Sequence, residues 1–562
     1  MAAIAASTLL VPLSTWFYAV TQTIQEPYLD EVFHVRQAQD YCNGRFDIWD
    51  PKITTPPGLY LLSYLGSLVP GIGCSITALR ALNVLGIVLL SLVVRRSYLQ
   101  RATDRGQRHS GVFDHSSLDI ALFPPLFFFS ALYYTDIWST LLVVLFYTQI
   151  SSTNHNNLGR VVHYVTLVTL GLASLAFRQT NIFWVAIFPA AITTIRQLDR
   201  GHDAVRNSMY RGVPGFGDSW YSIMKTSYKM QVVYDPAIRY ALFDVYLVTI
   251  GSTVACALGM LSQPKKLFNL LLILAPYLTL LGVFTGSVLW NGSVVLGDKS
   301  NHTATLHLPQ MLYIWPFIAF FSWPLVYPYL LLTPVSIISW LPISVGTLES
   351  MQIFKRGNLL PRPWLVLAAI GIACVVIYAN TIVHPFTLAD NRHYVFYAFR
   401  LLLRPWWMRY AASPLYILCA WACIQTLGGG PAKALVRAES SEGESLSLPD
   451  SEHSATVSFA LIWVATSALQ LVTAPLVEPR YFILPWIFWR IHLPLRLRPQ
   501  GTTPIKPDES LPSPKVLWNE YDHRLWLETA WLLIVNAATG HIFLYWGFTW
   551  PQEPGKVQRF MW

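Results

Sequence analysis

The chain has 562 residues, of which 54% are hydrophobic, 14% aromatic and only 12% charged, too little polar surface for a soluble globule. Its net charge is +9, but the basic residues sit between apolar runs instead of forming one stripe, which argues against a nucleic-acid face and for loop charges that set membrane topology. The expected fold class is all-α, a polytopic membrane protein of about 12 to 14 transmembrane helices.

In chain order, the first apolar run (4–24) is long enough to span and lacks the basic n-region and small-residue cleavage site of a signal peptide. Further spans are expected near 75–94, 117–134, 136–151, 161–177, 179–196, 267–288, 308–328, 363–383, 411–427, 456–476, 481–493 and 524–546. The stretches 241–260 and 329–350 are ambiguous. Residues 25–75 form one loop provided that the run Pro57 to Val69 does not span. That run is short, preceded by Pro56-Pro57 and flanked by polar residues, so it reads as a helix lying in the membrane interface.

The loop after the second span, RRSYLQRATDRGQRHS, carries five arginines, which places it in the cytosol and puts loop 25–75 on the other side. The same alternation keeps the basic segment 198–240, the Lys355-Arg356 turn and the arginines near 491–498 cytosolic. The Ser-, Glu- and Gly-rich segment 428–455 reads as a disordered cytosolic loop. Of the six cysteines, Cys42 and Cys74 share the first outer loop, and the sequence leaves open whether they are bridged or remain thiols.

The outer side then collects YLDEVFH (28–34), YYTD (133–136), FRQTN (177–181), GDKSNH (297–302), LADNRHY (388–394) and EPRY (478–481). Ionisable groups at span ends are costly unless solvated or paired, so six such clusters on one face point to a polar cavity opening to that side. The bland alternative for any one cluster is ordinary loop polarity. The most reactive-looking group is Asp30, Glu31 and His34: on a helix, Asp30 and His34 are i,i+4 neighbours, so that the imidazole is able to orient the carboxylate. A half-buried carboxylate suits a general base. Asp30 is the preferred base and Glu31 the alternative. An anionic leaving group needs a cation, and Arg392, His393, Arg400 and Arg480 are the first candidates, with Arg178 and Lys299 below them. Asp390 with Arg392, and Glu478 with Arg480, also read as simple local ion pairs. Tyr394 and other outer aromatics suit either sugar stacking or an interfacial belt. The chain has no D-x-D, Walker A, H-E-x-x-H or G-x-S-x-G motif, so the expectation is an enzyme without metal or other cofactor. A transporter is the rival class, but the polar motifs favour one side and no paired broken helices are evident.

The stretch EPYLDEVFHVRQAQDYCNGRFDIWDPKITTPPGLYL (26–61), with FRQTNIFWV, GDKSNH, LADNRHYVFY, EPRYFILP and the terminal VQRFMW, resembles the endoplasmic-reticulum α-1,2-glucosyltransferases that add the third, terminal glucose to the dolichol-linked oligosaccharide. The resemblance runs from the first span to the last residue. It implies a GT-C type fold with interfacial helices and the catalytic carboxylate in the first luminal loop. It also implies dolichyl phosphate β-D-glucose as donor, a diglucosylated, nine-mannose dolichyl-diphosphate-linked oligosaccharide as acceptor, and inversion at the anomeric carbon. A lipid-linked sugar transferase using mannose or another acceptor is set aside by these motifs alone.

Overall fold

The computed structural model describes residues 2–104, 111–150, 157–199, 220–241, 243–299, 305–330, 363–429, 455–474, 476–495 and 522–562, with 205, 206, 209 and 361. The Lys355-Arg356 turn, Asn301, the ambiguous stretch from 331 to 350 and the Ser/Glu-rich segment from 430 to 454 lie outside the described residues. So does most of the basic segment between 200 and 219.

The fold is all-α, with a single two-stranded ribbon, Phe548–Thr549 against Val557–Gln558, among the described residues. Eight described helices are long and apolar enough to cross a membrane. They include Ile76–Thr103, Gln179–Leu198, Phe243–Leu261 (the first ambiguous stretch), Pro264–Asn291, Pro363–Asn380, Met408–Leu427 and His523–Tyr545. Their outward faces are leucine, isoleucine, valine and tryptophan, as expected where lipid is the solvent. The first apolar run is the helix α1, Ala2–Thr23. Gln310–Phe321 and Trp323–Leu330 make a pair bent by 104°, and Asp136–Ile150 and Val457–Leu471 are shorter apolar helices.

Two expected spans are broken, 308–328 at the 104° bend and 117–134 at Pro124-Pro125. The run 117–134 becomes Gly111–Ala121 and Pro124–Phe129, because Pro124-Pro125 withholds two amide donors and disfavours helical backbone at the preceding residue. Phe123 leaves the helical region there, at φ −54° and ψ 118°. Its ring stacks on Trp486 with centroids 3.8 Å apart, so the break is packed rather than loose.

The first loop holds two helices that do not span, α2 (Glu31–Cys42) and α3 (Gly58–Ser67). They pack on one another, and the Cys42–Cys74 disulfide closes the loop across 32 positions. Gly58 fixes where α3 starts: its amide donates to Ala176 O at 2.7 Å, and a Cβ there would collide with that carbonyl. This contact brings the first loop against FRQTN. α3 buries Leu59, Tyr60 and Ser63 while exposing Leu61 and Leu65, the one-sided pattern of a helix resting in an interface.

At the far end of the bundle, Arg490 is fully buried, bonded to Glu528 through both Nε (2.9 Å) and Nη2 (2.7 Å), and 3.8 Å from Asp119. This pairing satisfies charge within the bundle and is remote from the first loop in contacts.

Candidate active site around Asp30

Between α1 and α2 the chain turns sharply. Leu29 adopts a left-handed conformation (φ 54°), uncommon for a leucine, and Asp30 follows as the N-cap of α2. Its side chain makes no capping bond and is 54% exposed. Glu31, the next residue, is fully buried. Arg80 donates to it twice, Nε to Oε1 and Nη2 to Oε2, both at 2.7 Å. The amides of Tyr133 (2.9 Å) and Tyr28 (3.1 Å) complete its acceptor set. Adjacent carboxylates thus have opposite fates, one consumed by the fold and one left toward solvent.

The expected His34–Asp30 hydrogen bond is not formed. The imidazole Nδ1 instead lies 2.6 Å from Tyr60 Oη, and the ring packs edge-on to Tyr134. Asp30 caps the helix with its backbone, accepting from the His34 amide at 3.1 Å, while its carboxylate lies toward Arg480. Burial pushes the His34 pKa down to about 4, against the opposing pull of Asp30, and the ring is neutral at physiological pH.

Arg480 faces Asp30. Its Nη2 lies 3.6 Å from Asp30 Oδ2 and 2.8 Å from Glu478 Oε2, and the guanidinium sits 5.7 and 5.6 Å from the ring centroids of Phe129 and Tyr134. The Glu478–Arg480 pair is therefore local and also part of a larger group. Arg178 joins it through Asp136, Nη2 to Oδ1 at 3.0 Å, and Nε contacts Thr135 Oγ1 at 3.4 Å. Asp136 is buried and feels Arg178 as its direct partner. The result is a charge cluster of Asp30, Asp136 and Glu478 against Arg178 and Arg480, lined by His34 and Tyr134.

The LADNRHY segment forms an adjoining group. Arg392 donates to Asp390 through Nε (2.8 Å) and Nη2 (2.7 Å), and to Gln558 Oε1 at 2.9 Å. Its guanidinium lies 4.4 Å from the Trp550 ring centroid. Most of its donors are thereby in use, which leaves it less to offer a phosphate than its charge suggested. His393 pairs with Met561 in a parallel bridge, its Nδ1 lies 3.3 Å from Trp562 O, and Tyr394 packs edge-on to Trp562 with its own hydroxyl buried and unbonded. The C-terminal segment then returns to the first loop: Tyr28 Oη donates to Arg559 O (2.9 Å) and accepts from the Arg559 amide (2.7 Å). VQRFMW is the tie between Tyr28, two residues from Asp30, and Arg392.

Lys299 is exposed and donates to Asn291 O at 2.5 Å. Its neighbours dock on the first loop, Asp298 N to Pro51 O at 2.7 Å and Leu296 N to Thr54 O at 3.2 Å. Gly297 (φ 62°) makes the approach, since a side chain there would meet the Pro51 carbonyl. Arg400 is exposed on the helix Tyr394–Leu403 and makes no ion pair with a described residue. Among the described residues no group of three or more His, Cys, Asp or Glu is placed to hold a metal ion.

Sequence reasoning missed Arg80 and Asp136. Arg80 was detectable as a lone arginine inside an apolar run, where a charge needs a partner. Asp136 stood in the quoted YYTD without being singled out.

The sequence pattern of the DIE2/ALG10 family matches residues 24–491. The Dol-P-Glc:Glc(2)Man(9)GlcNAc(2)-PP-Dol alpha-1,2-glucosyltransferase of Emericella nidulans is 39% identical over 99% of this chain and 96% of its own length. The Homo sapiens protein of the same name is 30% identical over 97% and 95% respectively. The apo crystal structure of the Archaeoglobus fulgidus oligosaccharyltransferase is similar over 86% of this chain and 56% of that one, at 14% identity and a TM-score of 0.24.

Proposed function

The chain belongs to the DIE2/ALG10 family, and on that premise we propose that it transfers glucose from dolichyl phosphate glucose to the terminal glucose of the diglucosylated, nine-mannose lipid-linked oligosaccharide, forming an α-1,2 linkage. The observation that carries the site assignment is the unequal state of two adjacent carboxylates: Glu31 is saturated by Arg80 and two amides, whereas Asp30 is half-exposed and faces Arg480.

Asp30 is the base. It takes the proton of the acceptor's 2-hydroxyl as that oxygen attacks the anomeric carbon of the donor, and the bond from that carbon to the phosphate oxygen breaks with its electron pair on dolichyl phosphate. Attack opposite the leaving group inverts a β-linked donor to an α product. Arg480, 3.6 Å from Asp30 in the resting site, receives the negative charge that develops on the leaving phosphate, with Arg178 behind it. Phe129 and Tyr134 hold the guanidinium in place through cation–π contacts. His34, neutral, supports the wall through Tyr60 and moves no proton. Arg392, Asp390 and His393 hold the C-terminal segment against the site.

The site faces the lumen of the endoplasmic reticulum. Supporting this are the Cys42–Cys74 disulfide, which needs an oxidising compartment, and the arginines following the second span, which favour the cytosol.

The test is to incubate the purified chain with dolichyl phosphate glucose and a synthetic diglucosylated lipid-linked acceptor, and to resolve product mass and linkage. A new α-1,2-linked glucose supports the reading. No product with either EDTA or added Mg²⁺ or Mn²⁺ overturns it.

A further inference from the structure

Residues 363–429 contain four arginines and one acid, Asp390, and Arg392 occupies that acid. The other three, Arg400, Arg404 and Arg409, fall within ten positions, and among the described residues none of them meets a carboxylate. Arg400 and Arg404 are exposed and lie one helical turn apart, the Arg404 amide donating to Arg400 O at 3.1 Å. Arg409 sits 4.8 Å from the ring centroid of Tyr410, with its Nε buried and without a hydrogen-bond partner. Around them Leu401, Trp406 and Trp407 are 63%, 71% and 49% exposed, the composition of an element lying at the level of lipid headgroups.

The side of the membrane is what makes this cluster unusual. Tyr394 and His393, at the start of the same helix, are tied to Met561 and Trp562, and Arg559 is tied to Tyr28. The arginines are therefore in the loop on the Asp30 side. Short loops rich in arginine are retained on the cytosolic side as a rule; three arginines on the opposite side that meet no carboxylate among the described residues call for an anionic ligand.

Two anions belong to the reaction proposed above. The donor phosphate is bonded to the anomeric carbon that Asp30 serves, so it falls beside Arg480. Arg404 lies ten residues beyond Tyr394, on the order of 15 Å along the helix at 1.5 Å per residue. The acceptor carries the second anion, a diphosphate separated from the reacting glucose by the whole oligosaccharide and kept at the membrane surface by its lipid. We propose that Arg400, Arg404 and Arg409 bind the diphosphate of the lipid-linked acceptor, with Trp406 and Trp407 seating the segment at the headgroup level. This site rests on the glucosyltransferase reading, and it makes the acceptor's lipid end, not only its sugars, part of what is recognised.

The experiment uses the full chain in nanodiscs of neutral phosphatidylcholine, comparing the parent with R404A/R409A and R404K/R409K. Equilibrium binding of a glycan-free polyprenyl diphosphate is measured beside steady-state transfer. The alanine variant is expected to bind the polyprenyl diphosphate about tenfold more weakly and to show a similar rise in acceptor KM, with donor KM within twofold of the parent; tenfold corresponds to about 1.4 kcal/mol. The lysine variant falls between, since it keeps charge without the bidentate fork. Unchanged binding and acceptor KM, or a donor KM that rises in parallel, overturns the site. So does an equal loss on a diglucosylated glycan that lacks the lipid diphosphate, because a merely structural role acts on both acceptors alike. An effect seen only when anionic phospholipid is added identifies a surface-lipid contact instead and also overturns it. A parent that binds the polyprenyl diphosphate but transfers no glucose sinks the glucosyltransferase reading alone.

Discussion

Arg80 grips Glu31 through two parallel hydrogen bonds of 2.7 Å, with both side chains sealed from solvent. Arg80 also donates to Ile24 O at 2.6 Å, so one guanidinium fastens the end of α1, the start of α2 and the helix Ile76–Asp104 together. Removing one partner of such a buried pair costs on the order of 3–5 kcal/mol. Glu31→Gln is expected to lower the melting temperature of the detergent-solubilised protein, with activity falling only as far as the folded fraction does. A stable, donor-binding but inactive Glu31→Gln would move the base from Asp30 to Glu31.

The acid limit of the protein is set in part by His34. Its folded pKa of about 4 lies below its ordinary 6.5, so on acidification the unfolded chain takes up the proton first. The contribution is fully present above about 6.5 and is lost progressively as pH falls through about 4. Melting curves of the parent and of His34→Gln are expected to run in parallel above about 6.5 and to converge or cross below it. A constant offset down to about pH 4 contradicts an imidazole held neutral by desolvation.

Arg392→Ala removes the anchor that Asp390, Gln558 and Trp550 share. The expected phenotype is release of the C-terminal segment: faster proteolysis near residues 550–562 and a kcat reduced several-fold through the loosened Tyr28 contact. A change in donor KM alone, with unaltered proteolysis, would assign Arg392 to phosphate binding instead.

Closing a loop across 32 positions, the Cys42–Cys74 disulfide removes chain entropy worth about 3–4 kcal/mol in the unfolded state. Paired Cys42→Ser and Cys74→Ser substitutions are expected to destabilise the first loop before the membrane helices, read as early hydrogen exchange in α2 and α3. Exchange in all helices rising together would show that the loop is not a separate unit.

Much of this architecture is legible in the sequence because lipid imposes a simple rule, a run of apolar residues per span. The helix 264–291, the interfacial α3 and the segment 408–427 follow from it. The break at Pro124-Pro125 was equally visible in residue type, yet the surrounding apolar run outweighed it. The site is another matter. Asp30, Arg480 and Glu478 are legible as polar residues at span ends, but the division of labour between Asp30 and Glu31 depends on Arg80, 49 positions further on. His34 turns to Tyr60, 26 positions further on, rather than to Asp30, a tertiary partner that helical periodicity does not reveal. The role of VQRFMW was hidden for the same reason: its partners, Tyr28 and Arg392, are distant in sequence.

The measurement that bears most directly on this account is transfer by purified Asp30→Asn, with dolichyl phosphate glucose and the diglucosylated acceptor, beside the parent and Glu31→Gln. Loss of a general base predicts a kcat lower by about 10²- to 10⁴-fold, with donor binding and melting temperature retained. Near-parental turnover by a well-folded Asp30→Asn would contradict the mechanism.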